Sequence, residues 1–458
     1  MHRARTSLIL LSSIFVATVP AMAASEETKT PWQIVSAVPS AISGNPGAVN
    51  EKPGNGFLQS LTRLPPDSGV SFGGIWLGDY NILMSGGAQP GASSWNSLLI
   101  VGMNLDAEKF LGWKGADFGA QFLQFNGQNT NGQAGSVQGY NSLPGAPPLD
   151  RSELYQAWYR QKLFDDRLII RIGRSVPTFD FNNVTRPVTT SESDLEIPAV
   201  TGLLFTPVFV NPTMLGALPG YYNSADGLTV TLTPTKNSYI NYGFYDGNLA
   251  NGVQTGLTGP QFNGYYFHIW EVGVDWVIAD KYPGQFSAGM WYQTGVLSGP
   301  GDITQNGTGG FYLFGSQRVW GRSAGGSQPA ATRDKEGKFK LVIPATTTGQ
   351  TSSVSMFYQF GANNSETLPV NQFFGAGLAG FGLIPNRPAD SVGLGLAWSW
   401  LNPNLFNRSS ELMFQTYYQA HLYGGAFFQP TLSYIPTPGA SSSLGGAWAM
   451  TMRFTLLF

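Results

Sequence analysis

The chain ends on WAMTMRFTLLF, Trp448–Phe458, and this stretch decides the fold. Trp448, Met450, Met452, Phe454, Leu456 and Phe458 fall on one parity; Ala449, Thr451, Arg453, Thr455 and Leu457 fall on the other. In an extended strand successive side chains point to opposite faces, so one face is large and apolar and the other smaller and more polar. That is the pattern of a strand with lipid on one side and a wet lumen on the other. Its length suits a tilted strand, which needs about 9–11 residues to cross a bilayer. A soluble amphipathic strand seldom alternates so evenly, or up to the terminal residue.

The same period recurs upstream. Leu228, Val230 and Leu232 alternate with threonines, and after a turn at 234–237 Ile240, Tyr242 and Phe244 alternate with Tyr239, Asn241 and Gly243, which reads as a hairpin. Trp270, Val272, Val274 and Trp276 alternate with Glu271, Gly273 and Asp275, and a short link leads to Phe286, Ala288, Met290 and Tyr292. Leu168, Ile170 and Ile172 alternate with Arg167, Ile169 and Arg171. An Arg costs about 2–4 kcal/mol at mid-membrane on the lipid face and little in a wet lumen, so Arg167 and Arg171 are expected inward. The inner parity likewise takes Glu271, Asp275 and Arg453. Further strands are expected at 70–84, 97–106, 116–125, 153–163, 311–320, 352–361, 373–382, 391–401, 410–421 and 426–435. Bacterial barrels carry even strand numbers, and sixteen is the expectation.

Composition agrees. Charged residues make up 11% of the chain, against about 25% in ordinary soluble domains, while aromatic residues reach 13% and Gly numbers 58. Beyond the N-terminal stretch no apolar run approaches the roughly 18 residues of a spanning helix. A membrane chain without such helices can satisfy its backbone only in a closed all-β transmembrane antiparallel barrel. The first residues combine a basic start (His2, Arg3, Arg5), an apolar stretch from Leu8 to Val19 and the small-residue triplet Ala21–Ala23, the layout of a signal peptide spanning 1–23. Its removal takes two Arg and leaves 23 basic against 27 acidic residues, a formal net charge of −4, which argues against nucleic acid as a partner. Cys is absent, so no disulfide staples the fold. Residues 24–67, rich in Pro, Gly, Ser and Asn, read as a periplasmic lead-in, and 68–458 as the barrel.

Between strands lie polar, Gly- and Pro-rich links of two lengths, the pattern of short periplasmic turns and long external loops. The long ones are expected at Asn126 to Pro148, Gly295 to Gly310 and Gly321 to Gly337. Ser175 to Ala225 stands out because Leu203, Leu204, Phe205, Phe209, Met214 and Leu215 make it apolar. Such a loop packs somewhere: either in the lumen, narrowing it, or across the mouth or rim.

Several segments resemble the carbohydrate-selective porins of the OprB type. The most specific is FFGAGLAGFGLIPNRPADSVGLGLAW, Phe373–Trp398, a glycine-rich strand, a Gly-Leu-x-x-x-Arg-Pro-x-Asp turn and the next strand. ELYQAWYRQKL (153–163), RLIIRIGR (167–174), YGFYDGN (242–248), PGQFSAGMWYQTG (283–295) and QPTLSYIPTPG (429–439) follow the family order. The N-terminal part near Phe57–Leu61 lacks the family's Gly-Leu-Arg pattern, and 175–225 matches poorly. The resemblance, running from about Gly69 to Phe458, implies a sixteen-stranded channel passing glucose and related sugars down a gradient, with arginines, acids and rings at a constriction. The resembling segments and neighbouring strands add Glu153, Arg160, Asp246, Arg318, Trp320, Arg387, Asp390 and Glu411 as pore-lining candidates.

A sugar offers hydroxyls at its edge and C–H groups on its faces, so charged and aromatic lumen residues together can hold it. The competing role for each is a wall charge paired with another. For Arg387 and Asp390, flanked by Pro385 and Pro388, a turn-tying role is favoured. Trp270, Trp276, Trp398 and Trp400 read as interfacial girdle. No cofactor or metal is expected; the partners are small neutral sugars and outer-membrane lipid and lipopolysaccharide, with the chain a monomer or homotrimer. A hydrolase would need a base, and past residue 23 only His268 and His421 are histidines, neither in a nucleophile or metal motif. The nearer rival is a general porin, or one for aromatic or anionic nutrients. Replacing Phe458 by Asp is expected to lower the amount of assembled barrel while export across the inner membrane continues; normal barrel levels would remove the role given to the terminal strand.

Overall fold

The computed structural model describes residues 57–65, 68–146, 149–182, 184, 202–219, 223–235, 237–253, 259–279, 282–323, 330–333, 339–342 and 351–458. The expected signal peptide and the lead-in as far as residue 56 lie outside the described residues. In chain order the strands are β1 (Val70–Ser85), β2 (Ser93–Asp106), β3 (Ala116–Asn126), β4 (Arg151–Leu163), β5 (Leu168–Ser175), β6 (Ala225–Thr235), β7 (Ser238–Asp246), β8 (Tyr266–Ile278) and β9 (Tyr282–Ser298). They continue as β10 (Thr304–Ser323), β11 (Ala330–Arg333), β12 (Phe339–Val342), β13 (Thr351–Asn363), β14 (Val370–Phe381), β15 (Ser391–Leu401), β16 (Ser410–Tyr423), β17 (Ala426–Ile435) and β18 (Ala447–Leu457). β11 and β12 pair only with each other. The remaining sixteen form one closed antiparallel barrel in which each strand pairs with its sequence neighbours and β1 closes against β18. The sixteen-strand expectation therefore holds.

Alternation carries through to burial. On β18 Ala449, Thr451, Arg453 and Thr455 are buried, while Trp448, Phe454 and Leu456 are exposed on the outer face. On β8 Phe267, Ile269 and Glu271 point inward, and Trp270, Val272 and Val274 point out. Outward rings pair across β17 and β18, Tyr434 with Trp448 at 4.4 Å and Phe428 with Phe454 at 4.8 Å between centroids, and along β15, Trp398 with Trp400 at 4.2 Å. His268 belongs to this outer ladder, with Nδ1 3.0 Å from the Tyr242 hydroxyl and its ring stacked 5.8 Å from Trp270.

The closing seam is pinned by charge. Asp79 and Arg453 are direct partners across β1 and β18. The guanidinium donates from Nε to Oδ1 and from a terminal nitrogen to Oδ2, both at 2.7 Å, in a site where both side chains are essentially fully buried. β1 starts below the end of its partner, since the pairing of Ile75 with Leu457 is followed only by the bonds between Gly74 and Phe458. The free edge of β1 beyond it is met by the helix α1 (Phe57–Thr62): Gln59 accepts from the Phe72 amide at 2.7 Å and donates to the Val70 carbonyl at 3.4 Å. One side-chain amide thus continues the ladder where the partner strand has run out.

The three long loops expected from the sequence fare differently. Gly295 to Gly310 is mostly strand, because β9 runs to Ser298 and β10 begins at Thr304. Polar, glycine-rich sequence continues the ladder there past the apolar band, where water replaces lipid as the outer solvent. Of Gly321 to Gly337, residues 321–323 complete β10, which ends on the rim of Phe458 and the short links 164–167 and 424–425, and 324–329 and 334–337 lie outside the described residues. Asn126 to Pro148 turns inward: Thr130, Asn131, Gln138, Tyr140, Asn141 and Leu143 are all buried. So are Leu203 to Phe209 and Pro212 to Leu215 of the apolar segment, which resolves its two alternatives in favour of the lumen.

Replacing Arg453 by Ala leaves a dry, uncompensated carboxylate at Asp79, a loss of about 3–5 kcal/mol. The temperature at which the folded band converts to the unfolded one in a gel of unboiled protein should fall sharply. Pairing Arg453→Met with Asp79→Leu should restore most of that loss.

Candidate functional site

Inserted segments fill part of the lumen and bond to the inner face of the wall. Residues 130–143, which include the short helix α2 (Thr130–Ala134), bind the wall around the seam. Asn141 donates to Asp79 and Asn81, both at 2.8 Å, and Ser142 accepts from Arg453 at 3.1 Å. Glu411 of β16 collects the Ser136 hydroxyl at 2.6 Å and the amides of Val137 and Gly439 at 2.8 and 2.6 Å. Residues 202–213 reach across to the wall from β13 to β17: Gln415 accepts from the Leu204 and Phe205 amides at 2.5 and 3.0 Å, Gln359 donates to the Pro207 carbonyl at 2.6 Å, and Gln429 donates to the Gly202 carbonyl at 2.7 Å. The two segments meet where the Thr206 amide donates to the Gly139 carbonyl at 3.1 Å.

Exposure divides the inward ionic side chains into two groups. Side chains facing the inserted segments are dry, with Arg453 at 1% and Asp79 at 0%. On β3 to β6 and the turn after β5 the ionic side chains keep contact with solvent: Arg160 at 29%, Arg174 at 16% beside Asp226 at 22%, and Arg171 with Asp180 of the turn at 14% each. Down this wall run Arg174 with Asp226 at 3.3 Å, Arg171 with Asp180, and Arg160, which donates from Nε and a terminal nitrogen to Asp117 Oδ2 at 3.0 and 2.8 Å. Lys162 stands 3.7 Å from the same Asp117 oxygen. Arg151 and Glu153, 3.0 Å apart, sit at the loop end of β4 in drier surroundings.

Trp158 lies at the centre of this strip. Its ring has Arg160 at 5.7 Å and Arg171 at 5.8 Å from the centroid. Arg160 and Arg171 are direct partners across β4 and β5, a pairing of like charges that would repel without the ring between them and a carboxylate on each. Gly119 opposite makes room for the indole: a Cβ there would lie 2.2 Å from the ring. A guanidinium-flanked aromatic face with carboxylates at its edges offers donors, acceptors and an apolar plane together.

The remaining sequence candidates fall elsewhere. Glu271 faces inward but is buried, accepting from the Tyr239 and Tyr312 hydroxyls at 2.6 Å each and from the Asn182 amide at 2.7 Å. Glu411 likewise anchors an inserted segment. Asp275 faces inward on β8, half-buried. Asp246 accepts from the amides of Asn248 and Gln261 at 3.1 and 2.8 Å, tying a loop at the mouth. Arg167 is exposed in the turn before β5, one residue short of the strand, so the inward parity does not reach it. Trp320 points outward with 43% exposure, because a register shift between Arg318 and Trp320 breaks the alternation that placed both inward. Arg387 and Asp390 tie the β14–β15 turn at 2.7 Å, and Arg387 also reaches the His421 carbonyl at 2.9 Å. Arg318 is buried on the inner face of β10, apart from the strip.

Trp158, Arg174, Asp117, Asp180 and Asp226 escaped the sequence reading. A register shift between β3 and β4 flips parity after Tyr155, and Gly173, at φ +129, does the same before Arg174. The available signal was Gly119, Gly173 and the Trp-Tyr-Arg run at 158–160.

Residues 97–458 match the profile of the carbohydrate-selective porin, OprB family. Porin B of Pseudomonas aeruginosa is 23% identical over 407 residues, covering 78% of this chain and 80% of that protein. The high-pH structure of Pseudomonas putida OprB superposes with a TM-score of 0.72 at 18% identity, over 91% of this chain and 100% of that one. The low-pH structure of the same protein gives 0.51 at 16% identity, over 86% and 93%. These likenesses support the barrel, and the profile match, running from within β2 to the last residue, shows that the chain belongs to the carbohydrate-selective porins of the OprB family.

Proposed function

We propose that this outer-membrane channel passes monosaccharides such as glucose by passive diffusion along the strip on β3 to β6, with Trp158 as the platform on which a sugar ring rests. The observation that carries this reading is the Trp158 ring flanked by Arg160 and Arg171 on the wall that stays solvated. A pyranose laid on the indole presents C–H groups to the ring and its hydroxyls to the guanidiniums and to Asp117 and Asp180. Because each strip arginine has its own carboxylate, the net field is small, which suits neutral polar solutes better than ions. Glu153 and Arg151 would meet solute near the entrance. The inserted segment, packed by Leu203 to Leu215, sets the bore from the opposite side. One chain builds the whole path, so a monomer and a homotrimer would each carry one pore per chain.

Liposomes containing the protein should swell faster in monosaccharides than in amino acids of equal size; equal rates would sink sugar selectivity. Trp158→Ala should raise the sugar concentration that half-blocks single-channel current about fivefold, equivalent to about 1 kcal/mol of ring contact. Excising residues 202–219 should increase single-channel conductance several-fold, and an unchanged conductance would remove that segment from the constriction.

A further inference from the structure

Five lumen-facing arginines have a carboxylate partner: Arg151 with Glu153, Arg160 with Asp117, Arg171 with Asp180, Arg174 with Asp226 and Arg453 with Asp79. Arg318 breaks the pattern. It is 93% buried on the inner face of β10, on the parity of Tyr312, Phe314 and Ser316, and among the described residues it makes no ion pair, with Nε unbonded. The described residues beside it in register carry hydroxyls. Ser355 is its direct partner on β13, Ser353 lies two residues before that on the same face, and Ser316 precedes Arg318 on the same face with its Oγ unbonded. Asp275 is the nearest inward carboxylate in register, two strands away beyond Gln285, which pairs with both Asp275 and Ser316.

A buried guanidinium without a counter-charge is costly, and removing its partner from a pair typically destabilises a protein by several kcal/mol. Among the described residues the five inward arginines above each have a carboxylate, whereas Arg318 has none and lies in register with hydroxyls that can donate or accept. The planar guanidinium fork matches a carboxylate, which it can bind through two parallel bonds.

We propose that Arg318, with Ser316, Ser353 and Ser355, is an oxyanion subsite that lets the channel select sugar acids, polyols bearing a carboxylate, alongside neutral sugars. The proposal rests on the sugar-channel reading. The carboxylate takes the Arg318 fork, and the serine hydroxyls bond the adjoining sugar oxygens. The subsite lies apart from the Trp158 strip, so the two can be perturbed separately.

The test uses the full chain in planar bilayers, measuring the concentrations of D-glucuronate, glucose and acetate that half-block the current. Glucuronate is expected to block at about one-tenth of the glucose concentration, the effect of one charge-assisted contact. Arg318→Gln should abolish that advantage while shifting glucose block less than twofold, and Arg318→Lys, which keeps the charge without the fork, should retain part of it. An unchanged glucuronate block in Arg318→Gln overturns the subsite. Acetate blocking as well as glucuronate also overturns it, since the site would then take any small anion. Glucuronate block that depends on Arg318, with no glucose block in either protein, upholds the subsite and sinks the neutral-sugar reading instead.

Discussion

Closure of the β1–β18 seam is the constraint from which the rest of this structure follows. Lipid offers no partner to a free amide or carbonyl, so a sheet can sit in a bilayer only when its first strand finds its last. Here the join is made by backbone ladder and by one buried ion pair in the same register, Asp79 with Arg453. The pair also explains why an arginine is tolerated in the terminal strand: it faces inward and meets a carboxylate directly opposite. Where β18 ends and β1 continues, the Gln59 side chain takes over the ladder.

The same economy of charge organises the lumen. Carboxylates such as Glu271 and Glu411 are spent on holding backbone amides of the inserted segments, while Asp117 and Asp226 on the wall and Asp180 in the turn after β5 neutralise arginines that remain wet. One set builds a dry partition inside the barrel, and the other neutralises the strip proposed above as the sugar path. Transport by a carbohydrate-selective porin needs both, since a sixteen-stranded barrel without a partition leaves an open aqueous channel with little to distinguish one solute from another.

Much of this was legible in the sequence, and the limits have a physical origin. Period-two alternation marks membrane strands because each face has a different solvent, so the strand positions, the terminal strand and the inward setting of Arg171, Glu271 and Arg453 could be read directly. Bulges were invisible. One extra residue near Tyr155, or between Arg318 and Trp320, reverses every later assignment on that strand without altering the local composition. Ion-pair partners were equally hidden, because Asp117 and Arg160, or Asp79 and Arg453, lie far apart in the chain and meet only through sheet topology. The apolar segment around Leu203 announced that it must be buried, but lumen and rim satisfy that demand equally until its partners Gln359, Gln415 and Gln429 are known.

Those partners have a temporal meaning. The segment between β5 and β6 is made early, yet its hydrogen bonds go to side chains of β13, β16 and β17, across sequence separations of 152 to 227 residues. None of these receptors exists as a surface until the late strands have paired. Loop closure over such distances is slow, so docking of the partition belongs to the end of folding. A barrel that has misregistered its last strands would present Gln359, Gln415 and Gln429 at the wrong heights and leave the apolar segment unhoused and open to proteases. The partition is thereby a built-in inspection of the finished wall.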